Sequence, residues 1–152
     1  MASNFEKKIY LDVCCLNRPF DDQSQTRIRL EAQAVLAILD RIAEGTWELV
    51  TSDAVDLEIE RSSDKERSKR VRILAGTANR TVTIEAVQMQ RVRQLAAPGF
   101  HAFDALHISS AESAEVDVML TTDDRLLRVA RRLKDILQVR VDNPLRWLEE
   151  IL

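Results

Sequence analysis

The sequence predicts an α/β sandwich, with helices on both faces of a small parallel sheet of four or five strands. Three observations predict it. Short β-branched and aliphatic runs alternate with longer stretches of helical period, the order that builds parallel β-α-β crossovers. Apolar residues make up 45% and charged residues 31% of 152 positions, which suits one core and one domain over 1–152. No internal repeat, linker or low-complexity segment interrupts the alternation.

Lys7 to Val13 reads as the first strand, with Asp12 at its carboxyl end. From Arg27 to Ala43, Ile28, Leu30, Ala34, Val35, Ile38, Leu39 and Ile42 fall near helical period. Asp21, Asp22 and Ser24 offer N-cap chemistry before that helix, and Gly45 stops it. Trp47 to Thr51 is the second strand, after which Ser52 or Asp53 caps a short helix. The charged helical segment 62–76 follows, then a third strand from Arg80 to Glu85. Helices are expected over Ala86–Ala97 and His101–Glu115, with a fourth strand over Val116–Thr121. A helix over Asp123–Leu137, a short fifth strand over Val139–Val141 and a last helix from Pro144 complete the chain.

Bulk properties exclude several classes. No apolar stretch approaches the roughly 20 residues that span a bilayer, and MASNFEKK lacks the apolar core of a signal peptide. A cytoplasmic location and no membrane partner are therefore expected. The two cysteines, Cys14 and Cys15, are adjacent, so they cannot staple distant segments or supply zinc spacing; they read as small apolar residues at a strand end. A net charge of −3 gives no global basic field, so a nucleic-acid partner would be held by local patches or through metal ions.

The informative feature is where acids fall. Ligands of open parallel sheets sit beyond the carboxyl ends of the strands. Asp12 ends the first strand, Asp123 and Asp124 follow the fourth, Glu58 rides the helix leaving the second, and Asp104 opens its own helix. If the first and fourth strands are neighbours, acids from four distant segments converge at one end of the sheet. Converging carboxylates repel one another unless cations neutralise them, and hard oxygen donors suit Mg²⁺ or Mn²⁺. Such a site can activate water for attack on a phosphodiester.

These residues carry a resemblance to the PIN-domain ribonucleases, which include the VapC-type toxins. YLDVCCLN resembles the family's first motif, with its acid at Asp12; SDAVDLEIE resembles the second, with Glu58 at the acid position. FDALHISSAE is similar to the third, with Asp104, and LTTDDRLL resembles the Thr-x-Asp motif, with Asp123 as acid and Thr121 as supporting hydroxyl. The resemblance spans nearly the whole chain. It implies a Rossmann-like α/β/α sandwich and a metal-dependent ribonuclease, with one or two Mg²⁺ or Mn²⁺ ions held by Asp12, Glu58, Asp104 and Asp123. It also implies RNA as substrate and the toxin role in a pair with a small antitoxin protein. The alternative is a catalytically weak module of the same fold for RNA binding or protein docking. Its support is a departure: Val13-Cys14 follows Asp12 where many relatives carry Thr or Ser. The missing hydroxyl role is unfilled or passes to a residue such as Asn17.

Each assignment has a competitor. Asp123 suits an N-cap as well as a metal, and Asp124 can exchange roles with it. Asp56 and Glu60 share Glu58's helix but point elsewhere. His107 shares a face with Asp104 and can orient a carboxylate or touch phosphate, although a packed or half-exposed histidine is the commoner case. Among the basic residues, Arg125 and Arg18 are the best placed to grip a phosphate backbone. The terminal LRWLEEIL can cover the sheet edge, form a homodimer or receive a small partner, and the sequence does not choose among these.

Overall fold

The computed structural model describes residues 4–152, so the first three residues of the MASNFEKK stretch lie outside it. The strands are β1 (Lys7–Leu11), β2 (Trp47–Ser52), β3 (Arg80–Val82), β4 (Val118–Leu120) and β5 (Val141–Asp142). The helices are α1 (Val13–Asn17), α2 (Thr26–Ala43), α3 (Asp53–Glu60), α4 (Lys65–Ala75), α5 (Ala86–Ala96), α6 (Ala102–Ser113), α7 (Asp124–Arg132) and α8 (Pro144–Ile151), with a 3-10 turn at Arg18–Phe20. The five strands form one sheet in the order β3-β2-β1-β4-β5, every pairing parallel. This is the α/β/α architecture the sequence predicts. The central strands are apolar on both faces: Ile9, Tyr10 and Leu11 of β1 and all of β4 are buried. Helices α2 and α8 pack together, as do α5 and α6, and α6 lies against β2 and β4. No helix among the described residues is long and apolar enough to cross a membrane.

The neighbouring register of β1 and β4 positions the site. Leu11 pairs with Leu120, and the next amide, Asp12 N–H, still donates to the Leu120 carbonyl at 3.2 Å. There the ladder stops, because the Asp12 carboxylate turns back to accept from Cys15 N–H at 2.9 Å and caps α1. The first strand is thus shorter than the expected Lys7–Val13, and Cys14 and Cys15 belong to a helical turn rather than a strand end.

Other departures have equally local causes. Gln25 occupies the N-cap of α2 with no side-chain cap bond. The expected caps are engaged elsewhere: Asp21 pairs with Arg18 and Arg67, and Asp22 accepts from Ser24 N–H. The third strand stops at Val82, since Ile84 N–H is claimed by the Asp53 carboxylate and Glu85 with Gln88 forms a capping box for α5. The helix after Asp123 ends at Arg132, and the last strand begins at Val141. Gly45, with φ of +81°, ends α2 as expected.

Candidate active site

Four elements deliver the four acids to the carboxyl end of the sheet. Asp12 follows β1 and is 4% exposed. Asp123 follows β4, where it caps α7 by accepting from Arg125 and Leu126 N–H. Thr121 ties these two together. Its hydroxyl bonds the Asp12 carboxylate, and its oxygen accepts from Asp123 N–H at 3.1 Å. The cap reading of Asp123 is therefore realised in the structure, and the cap bonds fall on its Oδ1 alone.

Glu58 is held from behind by a buried chain of hydrogen bonds. Ser52, the N-cap of α3, accepts from Ala54 N–H through Oγ. Ser52 Oγ meets Tyr10 OH at 2.7 Å, Tyr10 OH meets His107 Nδ1 at 2.7 Å, and His107 Nε2 meets Glu58 Oε1 at 2.8 Å. One assignment satisfies every group: Ser52 donates to Tyr10, Tyr10 donates to Nδ1, and Nε2–H donates to the Glu58 carboxylate. His107 is 1% exposed, so it is a packed histidine, and it orients a carboxylate. A Tyr10→Phe variant leaves His107 Nδ1 unpaired in a dry site. It is expected to lose about 1–3 kcal/mol of stability, read as a lower urea midpoint at unchanged slope.

Electrostatics shows that the acids feel one another. Burial pushes the Asp12 carboxyl up to about 6, against the favourable pull of His107, Thr121 and Cys15 N–H, with Glu58 raising it further. Asp104, in the first turn of α6, is raised by burial and then by Asp123 and Glu58, with His107 and His101 pulling it back. The half-buried thiol of Cys14 is raised by Asp12 first, then by burial and by Glu58, Asp123 and Asp104. One side chain thus senses all four acids. Beside it lies an open cleft of about 540 Å³, lined by Cys14, Asn17, Arg18, Glu58, Arg67 and Asp123 among others.

The donor set fits a hard divalent cation in its chemistry, being oxygen-only carboxylates whose mutual repulsion a double positive charge relieves. Among the described residues, no three His, Cys, Asp or Glu side chains stand in a ready-formed ligand cluster. Asp12, Glu58, Asp104 and Asp123 are the residues that would hold the ion, and water between carboxylate and ion suits the reluctance of Mg²⁺ to dehydrate.

The remaining expected site residues separate. Asp124 points to Arg27 in an exposed ion pair, and it is Asp123 that raises Asp104 and Cys14. Arg18 lines the cleft but is committed to Asp21 and Glu31, so it is not a free phosphate grip. Asn17 donates to the Val13 carbonyl, while its buried Oδ1 has no partner. Arg125 is exposed. Sequence reasoning missed Tyr10 and Glu31; it expected Ser52 and Asp21 only as helix caps, and not the bond of Ser52 to Tyr10 or the ion pair of Asp21 with Arg67, which with Arg18–Glu31 braces one wall of the cleft. For Glu31 a signal existed: it shares a helical face with Val35, Ile38 and Ile42.

No curated protein shows significant sequence similarity to this chain. Among solved structures it resembles a chain of the VapBC2 complex from Rickettsia felis bound to a DNA fragment from its promoter. The TM-score is 0.61 at 14% identity, covering 90% of this chain and 98% of that one, a likeness of fold. The sequence pattern of the PIN domain matches residues 9–132. That span runs from the strand that delivers Asp12, through the helices that bear Glu58 and Asp104, to the helix that Asp123 caps, so the chain belongs to the PIN domain family.

Proposed function

We propose that this protein is a cytoplasmic endoribonuclease dependent on Mg²⁺ or Mn²⁺, built as one catalytic domain over 1–152, and the toxin of a toxin–antitoxin pair. PIN domains are in general nucleases that use divalent metal ions. The observation that supports the reading is that Asp12 and Asp104, beyond their burial, and the Cys14 thiol are each raised in pKa by neighbouring acids at the carboxyl end of the sheet, where Glu58 and Asp123 line one cleft. The likeness to a chain of a VapBC2 complex supports a small antitoxin as partner.

When bound, the divalent ion lowers the pKa of an attacking water and neutralises charge on the phosphodiester. The chain's own residues prepare that chemistry. Thr121 and Cys15 N–H fix the Asp12 carboxylate, and the cap bonds fix Asp123. His107 fixes Glu58, and burial keeps water from competing for Asp12.

Purified protein is expected to cleave single-stranded RNA with Mn²⁺, leaving a 3′-hydroxyl and a 5′-phosphate, and to stop with chelator. Asp104→Asn should lower the rate by on the order of 10²- to 10³-fold, the usual loss for one electrostatic group. If that variant cleaved as fast as wild type, the site assignment would be wrong. A second reading is a docking or RNA-binding module of the same fold, which the altered first motif supports, Val13-Cys14 following Asp12 in place of a hydroxyl residue. RNA binding with no turnover under any metal, and no Mn²⁺ heat in calorimetry, selects it.

A further inference from the structure

Three of the four acids have one carboxylate oxygen already tied to the protein. Asp12 accepts from Cys15 N–H through Oδ1. Asp123 accepts from Arg125 and Leu126 N–H, again through Oδ1. Glu58 meets His107 Nε2 at 2.8 Å through Oε1. These bonds leave Oδ2 of Asp123 and Oε2 of Glu58, and both side chains line the cleft.

Two of the ties are main-chain amides placed by helix caps, whereas the third is a side chain. It holds a carboxylate that is 32% exposed and otherwise able to turn. The hydrogen-bond chain behind it closes on itself. Ser52 caps α3 and bonds Tyr10 of β1; Tyr10 bonds His107 of α6; His107 returns to Glu58 on the same α3. A carboxylate only accepts, so Nε2 carries the proton and Nδ1 accepts from Tyr10. Ser52, Tyr10 and His107 are all buried, so the imidazole is fixed at both nitrogens and holds Oε1 against it.

Divalent ions differ in what they ask of such a carboxylate. Ca²⁺ gathers roughly six to eight oxygens in flexible shells and takes carboxylates through one oxygen or both. Mg²⁺ demands a tight octahedral shell and keeps several waters, and Mn²⁺ shares the octahedral preference. A carboxylate with one oxygen tied suits the second kind of shell and withholds the two-oxygen grip.

We propose that His107 is a positioning residue that sets cation selectivity: by tying Glu58 Oε1 it offers the ion a single oxygen, favouring Mn²⁺ and Mg²⁺ over Ca²⁺. The inference rests on the metal-dependent reading of the cleft. Tyr10 and Ser52 act through His107 in the same sense.

The test is metal binding without RNA. Chelator-treated, dialysed protein is titrated calorimetrically with MnCl₂ and with CaCl₂, as wild type, His107→Leu and His107→Gln. Wild type should bind Mn²⁺ more tightly than Ca²⁺. His107→Leu should weaken Mn²⁺ binding on the order of 10- to 100-fold, the usual loss when the group behind a metal ligand is removed. Ca²⁺ should lose clearly less, so the ratio of the two affinities closes. His107→Gln keeps a donor near the place of Nε2 and should recover most of the ratio. Tyr10→Phe leaves the His107 donor but frees its ring, so it should move the ratio the same way by a smaller factor. It decides the question if His107→Leu does not fold. An unchanged ratio in these folded variants, or equal losses for both ions, overturns the inference, because a merely structural histidine weakens both alike. Wild type that binds Ca²⁺ as tightly as Mn²⁺, or binds neither, overturns it as well. Failure of the nuclease reading shows elsewhere: wild type that prefers Mn²⁺ through His107 and never cleaves RNA upholds the selectivity and removes the enzyme.

Discussion

An Asp12→Asn variant is expected to be inactive as a nuclease and yet more stable than wild type at pH 7.5 in the absence of divalent metal. The carboxyl is 4% exposed, and burial raises it from 3.8 to about 6. Between those values the folded protein holds a proton that the unfolded chain has lost, so stability falls as pH rises through that window and levels off above it. The shift of about two pH units corresponds to about 3 kcal/mol. Below pH 4 the penalty vanishes and the two proteins should melt alike. Asparagine keeps the N-cap bond to Cys15 N–H and removes the buried charge. Urea denaturation at pH 4.5 and 7.5 reads the difference directly, and Mn²⁺ should narrow it by binding wild type alone. A variant less stable than wild type at pH 7.5 would mean that Asp12 is already compensated without metal, and the reason for a cation there would disappear.

The second large effect is expected at Glu31, remote from the four acids. This glutamate is 1% exposed; it pairs with Arg18 and Arg27 and accepts from Asn143 Nδ2, the N-cap residue of α8. Replacing it by leucine leaves the Arg18 guanidinium, itself 17% exposed, with Asp21 as its one acid and takes the acceptor from Asn143. Breaking a buried pair from one side costs about 3–5 kcal/mol. For a chain of this size that lowers the melting temperature by roughly 10 °C. Arg27→Gln provides the contrast. Arg27 is half-exposed, so its loss should cost under about 1 kcal/mol. Equal losses at the two positions would show that Glu31 is solvated in solution.

Most of the architecture was legible because parallel strands and amphipathic helices write their periods into the sequence. IYL, WELVT and VDVML locate the three central strands, and the spacing of Val35, Ile38 and Ile42 locates the longest helix. In the sequence Asp12 and Asp123 read as charges at strand ends, Asp104 as a charge in a first turn and Glu58 as one further along its helix, and the structure has them at those places in the fold. What escaped was set by side-chain competition rather than period. Whether Asp12 extends the strand or caps a turn depends on one bond to Cys15 N–H. Whether Arg18 is a phosphate grip or a brace depends on Glu31, 13 residues on and inside α2. Tyr10 reads as one more apolar strand residue, and its role appears only when Ser52 and His107 arrive from β2 and α6. The exchange of roles left open between Asp123 and Asp124 also turned on a distant partner, Arg27.

Trp47 and Trp147, the chain's two tryptophans, are both 3% exposed and meet edge to face at 5.4 Å. Trp47 opens β2, so the pair lies at the amino-terminal rim of the sheet, opposite the acids. Tryptophan fluorescence is therefore a local gauge of how α8 is seated. Loosening around the cleft passes unseen by it, and a solution assay that follows the acidic end needs its own chromophore there.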